Sequence, residues 1–279
     1  MEREVVKVYD TSLRDGLRNS GITMTLQQKL RFARQLEQLN VNAIEIGYGG
    51  PSQIETMQQL SMAITTPVVY GLSRVNLKDV DRVLDGVGRA KTPGVNIFTP
   101  TSNEFLKKAK KTWQQAIDDA EAAVTYAKKH VDHVTFSAQD ASRADPVLLV
   151  RIFNAVIGAG ATTVSIADSV SYAVPSQFGP LCQFLRTQVA NNHKVTWSVH
   201  CHNEIGLAVA NSLAAIENGI RQVECTVDGI GEGAGNTSLQ LVVSALQSRA
   251  DVFKNVTTAI ATEHFPPAAQ FLREIHEAA

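Results

Sequence analysis

The segment Ser198-Val-His-Cys-His-Asn203 sets two imidazoles one residue apart inside an otherwise apolar run. Extended backbone alternates its side chains, so a strand over residues 196–203 puts Ser198, His200 and His202 on one face and Val199 and Cys201 on the other. Two histidines on one strand face supply half of a metal site, although a pair satisfied by hydrogen bonds inside a barrel has the same spacing. Other groups of the right chemistry recur along the chain. Asp10-Thr-Ser-Leu-Arg-Asp-Gly16 offers Asp10, Arg14 and Asp15, and Ala43–Tyr48 carries Glu45. Gly71-Leu-Ser-Arg74 ends in Arg74, and later apolar runs end at Thr99 and Thr101, at Gln139 and Asp140, and at Asp168 and Ser169. Gly229-Ile-Gly-Glu-Gly-Ala-Gly-Asn236 is a glycine-rich turn that lets backbone approach a ligand and presents an amide oxygen.

Two neutral imidazoles, one carboxylate and one amide oxygen suit a divalent ion such as zinc, manganese, iron or cobalt, or magnesium at lower affinity. Asp15, His200, His202 and Asn236 are therefore read as the ligands. Taken singly, Asp15 also fits a helix or turn cap and Asn236 a turn residue. Arg14, beside a polarised carbonyl, supplies positive charge where an enolate or alkoxide oxygen develops. It also fits an ion pair with Glu45 or Asp10, and both roles can hold at once.

The elements that would bring these residues together are eight β-rich runs: Val5–Asp10, Ala43–Tyr48, Pro67–Leu72, Gly94–Pro100, His133–Asp140, Thr163–Asp168, Thr196–Asn203 and Gln222–Gly231. Each is followed by a helix-favouring segment. Residues 27–39 show the pattern, with Leu30, Ala33, Leu36 and Leu39 recurring every three residues among charged ones. Strand–helix alternation repeated eight times predicts a closed (β/α)8 TIM barrel of class α/β, whose usual size is about 250 residues. The expectation is one domain over 1–279, with the barrel over about 5–250 and a C-terminal helical extension over about 251–279, the last helix spanning Pro267–Ala278. In such barrels the strand ends at one rim carry the chemistry, which is where the residues above fall. The segment Asn103–His130 is long and basic, with Lys107, Lys108, Lys110 and Lys111; it fits a solvated helix face, and less simply a dock for the phosphates of a coenzyme.

Composition narrows the partners. A 279-residue chain with 44% hydrophobic and 19% charged residues can bury a large core, and a net charge of −1 gives no electrostatic case for nucleic acid or an anionic membrane. No apolar stretch approaches the roughly 20 residues needed to cross a bilayer, and the N-terminus lacks a signal-peptide core. A cytoplasmic protein acting on small molecules is expected. Cys182, Cys201 and Cys225 are odd in number and widely spaced, so buried free thiols are expected.

The motifs resemble those of the DRE-TIM metallolyases, the HMGL-like family of isopropylmalate, homocitrate and citramalate synthases, hydroxymethylglutaryl-CoA lyase and 4-hydroxy-2-oxovalerate aldolase. The similar segments are Asp10–Gly16, Ala43-Ile-Glu-Ile-Gly47, Phe136-Ser-Ala-Gln-Asp-Ala-Ser-Arg143, Val199–Asn211 and Gly229–Thr237. The wording from His202 to Leu213 and at Gly235-Asn-Thr237 is nearest to the isopropylmalate and homocitrate synthase branch. The resemblance implies that the ion on Asp15, His200, His202 and Asn236 chelates a 2-oxo acid, that Arg14 stabilises the enolate-like oxygen, and that Ser169 helps hold the substrate carboxylate. It implies an acyltransferase condensing acetyl-CoA, as co-substrate, with the 2-oxo acid, and a homo-oligomer, specifically a homodimer. The alternative within the family is a lyase or aldolase that cleaves a hydroxy acid or hydroxyacyl-CoA. Arg74, Thr99, Gln139, Ser169 and Tyr48 are expected to bind substrate, with Tyr48 and the following Gly49-Gly50-Pro51 shaping the side-chain pocket. Three departures stand out: Gly16-Leu17-Arg18 replaces Gly-Glu-Gln, Gln139 replaces a common acid, and Gly233 replaces an arginine. The larger synthases have C-terminal subdomains beyond the segment matched here, and the base is then sought in Glu45, Glu204 or bound water, with Glu45 named as catalytic.

Overall fold

The computed structural model describes residues 3–277; the predicted helix end at Ala278 and the outermost residues of the predicted domain lie outside them. The predicted first strand is two. β1 (Glu4–Val5) pairs in parallel with a strand near the other end of the chain, β10 (Val256–Thr257). At Val6 the amide still bonds Thr257 O (2.7 Å), and at Lys7 it bonds Arg221 O (2.8 Å), so the chain changes partner there and enters the barrel.

The barrel strands are β2 (Lys7–Asp10), β3 (Ala43–Tyr48), β4 (Val68–Arg74), β5 (Pro93–Pro100), β6 (His133–Gln139), β7 (Thr163–Asp168), β8 (Thr196–Cys201) and β9 (Gln222–Cys225). They are hydrogen-bonded in sequence order, all parallel, and β9 closes onto β2 with Asp10 opposite Cys225. Around them run α1 (Leu26–Gln38), α2 (Ile54–Ala63), α3 (Leu77–Val87), α4 (Asn103–Ala109), α5 (Trp113–Lys128), α6 (Pro146–Gly158), α7 (Pro175–Gln188), α8 (Ala208–Glu217) and α9 (Leu239–Ser248), followed by α10 (Phe265–Glu277). The expected (β/α)8 TIM barrel is the fold observed.

Local chemistry sets the element bounds. Thr25 caps α1: its hydroxyl accepts from the Gln28 amide, and the Gln28 side chain accepts from the Thr25 amide at 2.8 Å. The stripe Ala33, Leu36 and Leu39 is buried as its spacing predicts. The basic segment is two helices rather than one, because Lys110 takes φ 54° and Thr112 opens α5 with its own capping box. α10 lies against α1, where Arg31 sits 4.4 Å from the Phe271 ring centre. Among the described residues no helix is long and apolar enough to cross a membrane.

Strand alternation divides the core in two. Val8, Ile44, Val69, Val95, Val134, Val164, Val199 and Val223 are buried in the main apolar cluster, while the alternate positions Tyr9, Glu45, Tyr70, Asn96, Thr135, Ser165, Ser198 and Glu224 are polar and equally buried. Buried polar groups must be hydrogen-bonded to avoid a desolvation penalty. Here Tyr9 Oη and Asn96 Nδ2 both donate to Glu45 Oε1 (3.0 Å each), and Ser165 Oγ donates to Glu224 Oε1 (2.5 Å). This connected interior fixes where the side chains at the rim can point.

Candidate active site

The turn after β2 is a single π-helical turn, Ser12–Gly16, in which the amides of Arg14, Asp15 and Gly16 all converge on Thr11 O (3.1, 2.8 and 3.0 Å). Three amides closing on one carbonyl wind the chain into a compact turn at the end of β2. Arg14 and Asp15 thereby reach the same rim, and Arg14 Nη1 donates to Asp15 Oδ1 at 2.6 Å. The second guanidinium contact, from Nε, goes to Glu45 Oε2.

His200 and His202 reach Asp15 from β8 and the residue after it. Asp15 Oδ2 lies 3.4 Å from His200 Nε2 and 3.6 Å from His202 Nε2. The three side chains offer ligand atoms that all fall within 4.8 Å of one another, a separation one ion can span. β8 ends at Cys201, earlier than the sequence pattern indicates. His202 instead forms an isolated antiparallel bridge with Asn236, so the two-residue alternation survives past the strand because the glycine-rich loop supplies the missing neighbour. That bridge sets the backbone of Asn236, the fourth predicted ligand, against that of His202. The predicted last strand likewise stops at Cys225, where the chain turns into a 3-10 segment, Val227–Gly229, and the amide of Val227 bonds Ser12 Oγ (2.9 Å).

Two oxygens test whether this donor set fits a cation. Among the described residues neither Asp15 Oδ2 nor Asn236 Oδ1, both buried, has a hydrogen-bond partner. Asn236 Nδ2 is occupied by Ile230 O at 3.1 Å, which assigns the free end of the amide as the oxygen. A Cβ on Gly231 would stand 2.3 Å from that Nδ2, so glycine is required where the loop folds over the amide. A buried carboxylate oxygen facing two imidazoles, with a buried, unpartnered amide oxygen on the loop bridged to one of them, is ordinary in a metal site.

Electrostatics agree. Burial alone would raise Asp15, yet Arg14 and the imidazoles outweigh it and hold its carboxyl well below the usual carboxylate range. Burial would lower His200, but the Asp15 and Glu224 carboxylates lift it to about 10. His202 moves the other way, lowered by burial and by the charge on His200. The buried carboxylate Glu224 on β9 stands 3.3 Å from His200 Nδ1, the arrangement that fixes which imidazole nitrogen faces a metal.

The remaining predicted residues separate into groups. A central cavity of about 230 Å³ is lined by Arg14, Asp15, His200, His202, Gln139 and Ser169, together with Glu224, Asn96, Ser137, Arg18 and Glu232, and by the apolar Leu72, Phe98, Phe105 and Ala167. Arg74 and Thr99 lie in an adjoining pocket with Lys108 and Lys111, which shares Phe98, Phe105 and Gln139 with the central one. Arg74 pairs there with Asp79 (3.1 Å). Tyr48 lies elsewhere, half-exposed at the rim of a third pocket beside Arg14 and Arg18. Glu45 sits behind Arg14 and does not line the central cavity; burial raises it, and all its contacts are to Arg14, Tyr9 and Asn96. Of the residues absent from the sequence reading, Glu224 had a usable signal: Gln222 and Glu224 alternate with Val223 and Cys225, which puts both inside the barrel. Arg18 and Glu232 lie on loops, where no periodicity says which way a side chain turns.

A closed (β/α)8 barrel with three metal-capable side chains and a partly buried arginine at one rim defines a class, and comparison with known proteins narrows it. The sequence pattern of the HMGL-like family matches residues 5–272, and the chain belongs to that family. It is 44% identical over 273 residues to the 2-isopropylmalate synthase of Nitratidesulfovibrio vulgaris, covering 97% of this chain and 53% of that protein. It is 42% identical over 271 residues to the 2-isopropylmalate synthase of Dechloromonas aromatica, covering 96% and 53%. The chain thus spans about half the length of these relatives. In fold it is similar to the HMG-CoA lyase of Bacillus subtilis, with a TM-score of 0.81 at 18% identity over 99% of this chain and 96% of that one.

Proposed function

We propose that the chain catalyses the divalent-metal-dependent, Claisen-type condensation of acetyl-CoA with a 2-oxo acid, as an acyltransferase. The observation that carries this reading is Asp15 Oδ2 facing His200 Nε2 and His202 Nε2 at 3.4 and 3.6 Å beside the Arg14 guanidinium, with the buried Asn236 amide on the loop bridged to His202. The relatives named 2-isopropylmalate synthase support the acyltransferase direction over cleavage. A divalent ion held by Asp15, His200, His202 and Asn236 would act as a Lewis acid on the oxo acid's carbonyl.

The chain's own groups do the rest. Arg14 is clamped at Nε by Glu45 and at Nη1 by Asp15, which leaves its other N–H groups for the cavity it lines. There they stabilise negative charge building on the carbonyl oxygen, with Glu45 acting through Arg14 as a positioning residue. Ser169 Oγ accepts from the Asp140 amide (3.1 Å), so its hydroxyl proton is free for the substrate carboxylate. Gln139 offers an uncharged amide beside it. Leu72, Phe98 and Phe105 exclude water and set the room for the oxo acid's side chain. Arg74 and Thr99, with Lys108 and Lys111, suit the anionic tail of the acyl donor in the adjoining pocket, and Tyr48 closes the outer rim. The reading also makes the chain one catalytic domain of a cytoplasmic, self-associating enzyme.

The test combines purified protein, a panel of divalent metals, acetyl-CoA and a panel of 2-oxo acids, with thiol release as readout. Release that requires both metal and oxo acid supports condensation. Silence there, with pyruvate or acetoacetate appearing from hydroxy acids or hydroxyacyl thioesters, replaces it with the cleavage reading.

A further inference from the structure

Condensation requires a group that takes a proton from the acyl donor's methyl carbon, and the carboxylates at the rim can be sorted by what already holds them. Asp15 is committed to Arg14 and the imidazoles. Glu224 is buried, holding His200 Nδ1 at 3.3 Å and accepting from Ser165 at 2.5 Å. Glu45 lies behind Arg14 and outside the cavity. Asp140 is bound by Arg143 and Ser102, and Asp168 by Ser142 Oγ (2.6 Å) and the amides of Tyr172 and Ala173. Glu204 lies 3.6 Å from His202 Nδ1 and is not among the residues lining the cavity. Gln139 is a neutral amide.

Glu232 is different. It lines the central cavity, its side chain is 43% exposed, and it stands on the glycine-rich loop between Gly231 and Gly233, four residues before the candidate ligand Asn236. Its contacts are light: Oε1 accepts from Asn19 Nδ2 at 2.9 Å, and Oε2 lies 3.5 Å from Arg18 Nε. Each oxygen therefore keeps lone pairs for another donor. Arg18 and Asn19 come from the segment that follows the Arg14–Asp15 turn, so the loops that carry Asp15 and Asn236 also hold this carboxylate against the cavity.

We infer that Glu232 is the proton acceptor of the condensation, with Arg18 and Asn19 as its positioning residues; the inference rests on the condensation reading above. The carboxylate removes a proton from the methyl carbon, and the C–H electron pair becomes the thioester enolate. That carbon bonds to the oxo acid's carbonyl carbon, and the carbonyl π electrons move to oxygen beside Arg14. This oxygen takes the proton back from the Glu232 carboxylic acid, restoring the carboxylate. One water then hydrolyses the thioester, giving the free thiol and a new carboxylic acid.

The experiment uses the full chain loaded with its activating metal. Thiol release is measured with saturating oxo acid, and deuterium wash-in from heavy water into the acyl donor's methyl group is followed by mass spectrometry in the presence of a non-condensing oxo-acid analogue. Glu232→Gln should lose at least about 100-fold in both, the usual scale for removing a general base, with metal content and the KM for the oxo acid unchanged. Glu232→Asp should recover part of the loss, and Arg18→Ala should lower kcat without removing the metal. A Glu232→Gln protein that turns over within about threefold of wild type, or that loses activity only because it loses the metal, overturns the inference. A wild-type protein that releases no thiol with any 2-oxo acid overturns the condensation reading itself, and this inference with it.

Discussion

Asp10 ends β2 fully buried, and among the described residues no cation lies beside it and its hydrogen-bond partners are the amide and hydroxyl of Ser12 (2.9 and 3.0 Å). Burial pushes its carboxyl from 3.8 up to about 7 despite those hydrogen bonds. An acid raised in the folded state favours folding while it is protonated. The stabilisation is whole below the unfolded value near 3.8 and is lost as pH rises through about 7. At about 1.36 kcal/mol per pH unit, complete ionisation costs the fold about 4 kcal/mol, of which about 3 kcal/mol falls between pH 5 and pH 8. Asp10→Asn removes the titration and keeps the shape: the amide oxygen can accept from the Ser12 amide and the Nδ2 can donate to Ser12 Oγ. Urea unfolding of both proteins at several pH values isolates the residue, because every other titrating group is shared. Wild type should lose about 3 kcal/mol more than Asp10→Asn over that range. Parallel curves would refute the reasoning and show that water or local relaxation solvates the carboxylate. The residue also matters for the rim, since Ser12 Oγ in turn accepts from Val227 and so ties the Arg14–Asp15 turn to the end of β9.

Other outcomes follow from the same geometry. Glu224→Gln leaves His200 without its anionic partner at 3.3 Å and should weaken metal binding by about 10- to 100-fold, read by competition with a fluorescent chelator; unchanged affinity would remove Glu224 from the site. Because His200 is held up at about 10, metal-free protein carries its proton at neutral pH, and an incoming ion must displace it. Calorimetry in buffers of different ionisation enthalpy should therefore show proton release on metal binding, and affinity that rises with pH through the neutral range. Arg14→Lys keeps the charge but cannot grip Glu45 and Asp15 together; kcat should fall by about 100- to 1000-fold with metal content intact. Loss of the metal instead would make Arg14 a support for Asp15 alone.

The barrel, and the grouping of Asp15, His200 and His202 in the candidate site, were readable largely through periodicity. Strand–helix alternation gave the eight strands, and the spacing of two gave the shared face of His200 and His202. Loop-borne residues obey no such period, and here tertiary contacts decide. Arg74 ends a strand as expected, yet its guanidinium turns to Asp79 at the start of α3. Glu45 faces inward as the alternation requires, but Arg14 stands between it and the cavity. The predicted ends of β8 and β9 failed for a related reason: the chain folds back so that Asn236 pairs with His202 and Ser238 with Thr226, and no local propensity encodes that return. The basic segment 103–130 breaks into two helices at Lys110, where a lysine adopts a left-handed conformation that its side chain gives no hint of.

The most direct test of the account is the number of divalent ions bound per chain, measured by elemental analysis after equilibrium dialysis against manganese or zinc. The account predicts one ion for the wild type and essentially none for His200→Ala, His202→Ala or Asp15→Asn, with Asn236→Ala weakened and every variant folded by circular dichroism. A wild-type chain that binds no ion, or a His202→Ala chain that binds one as tightly as the wild type, would contradict it.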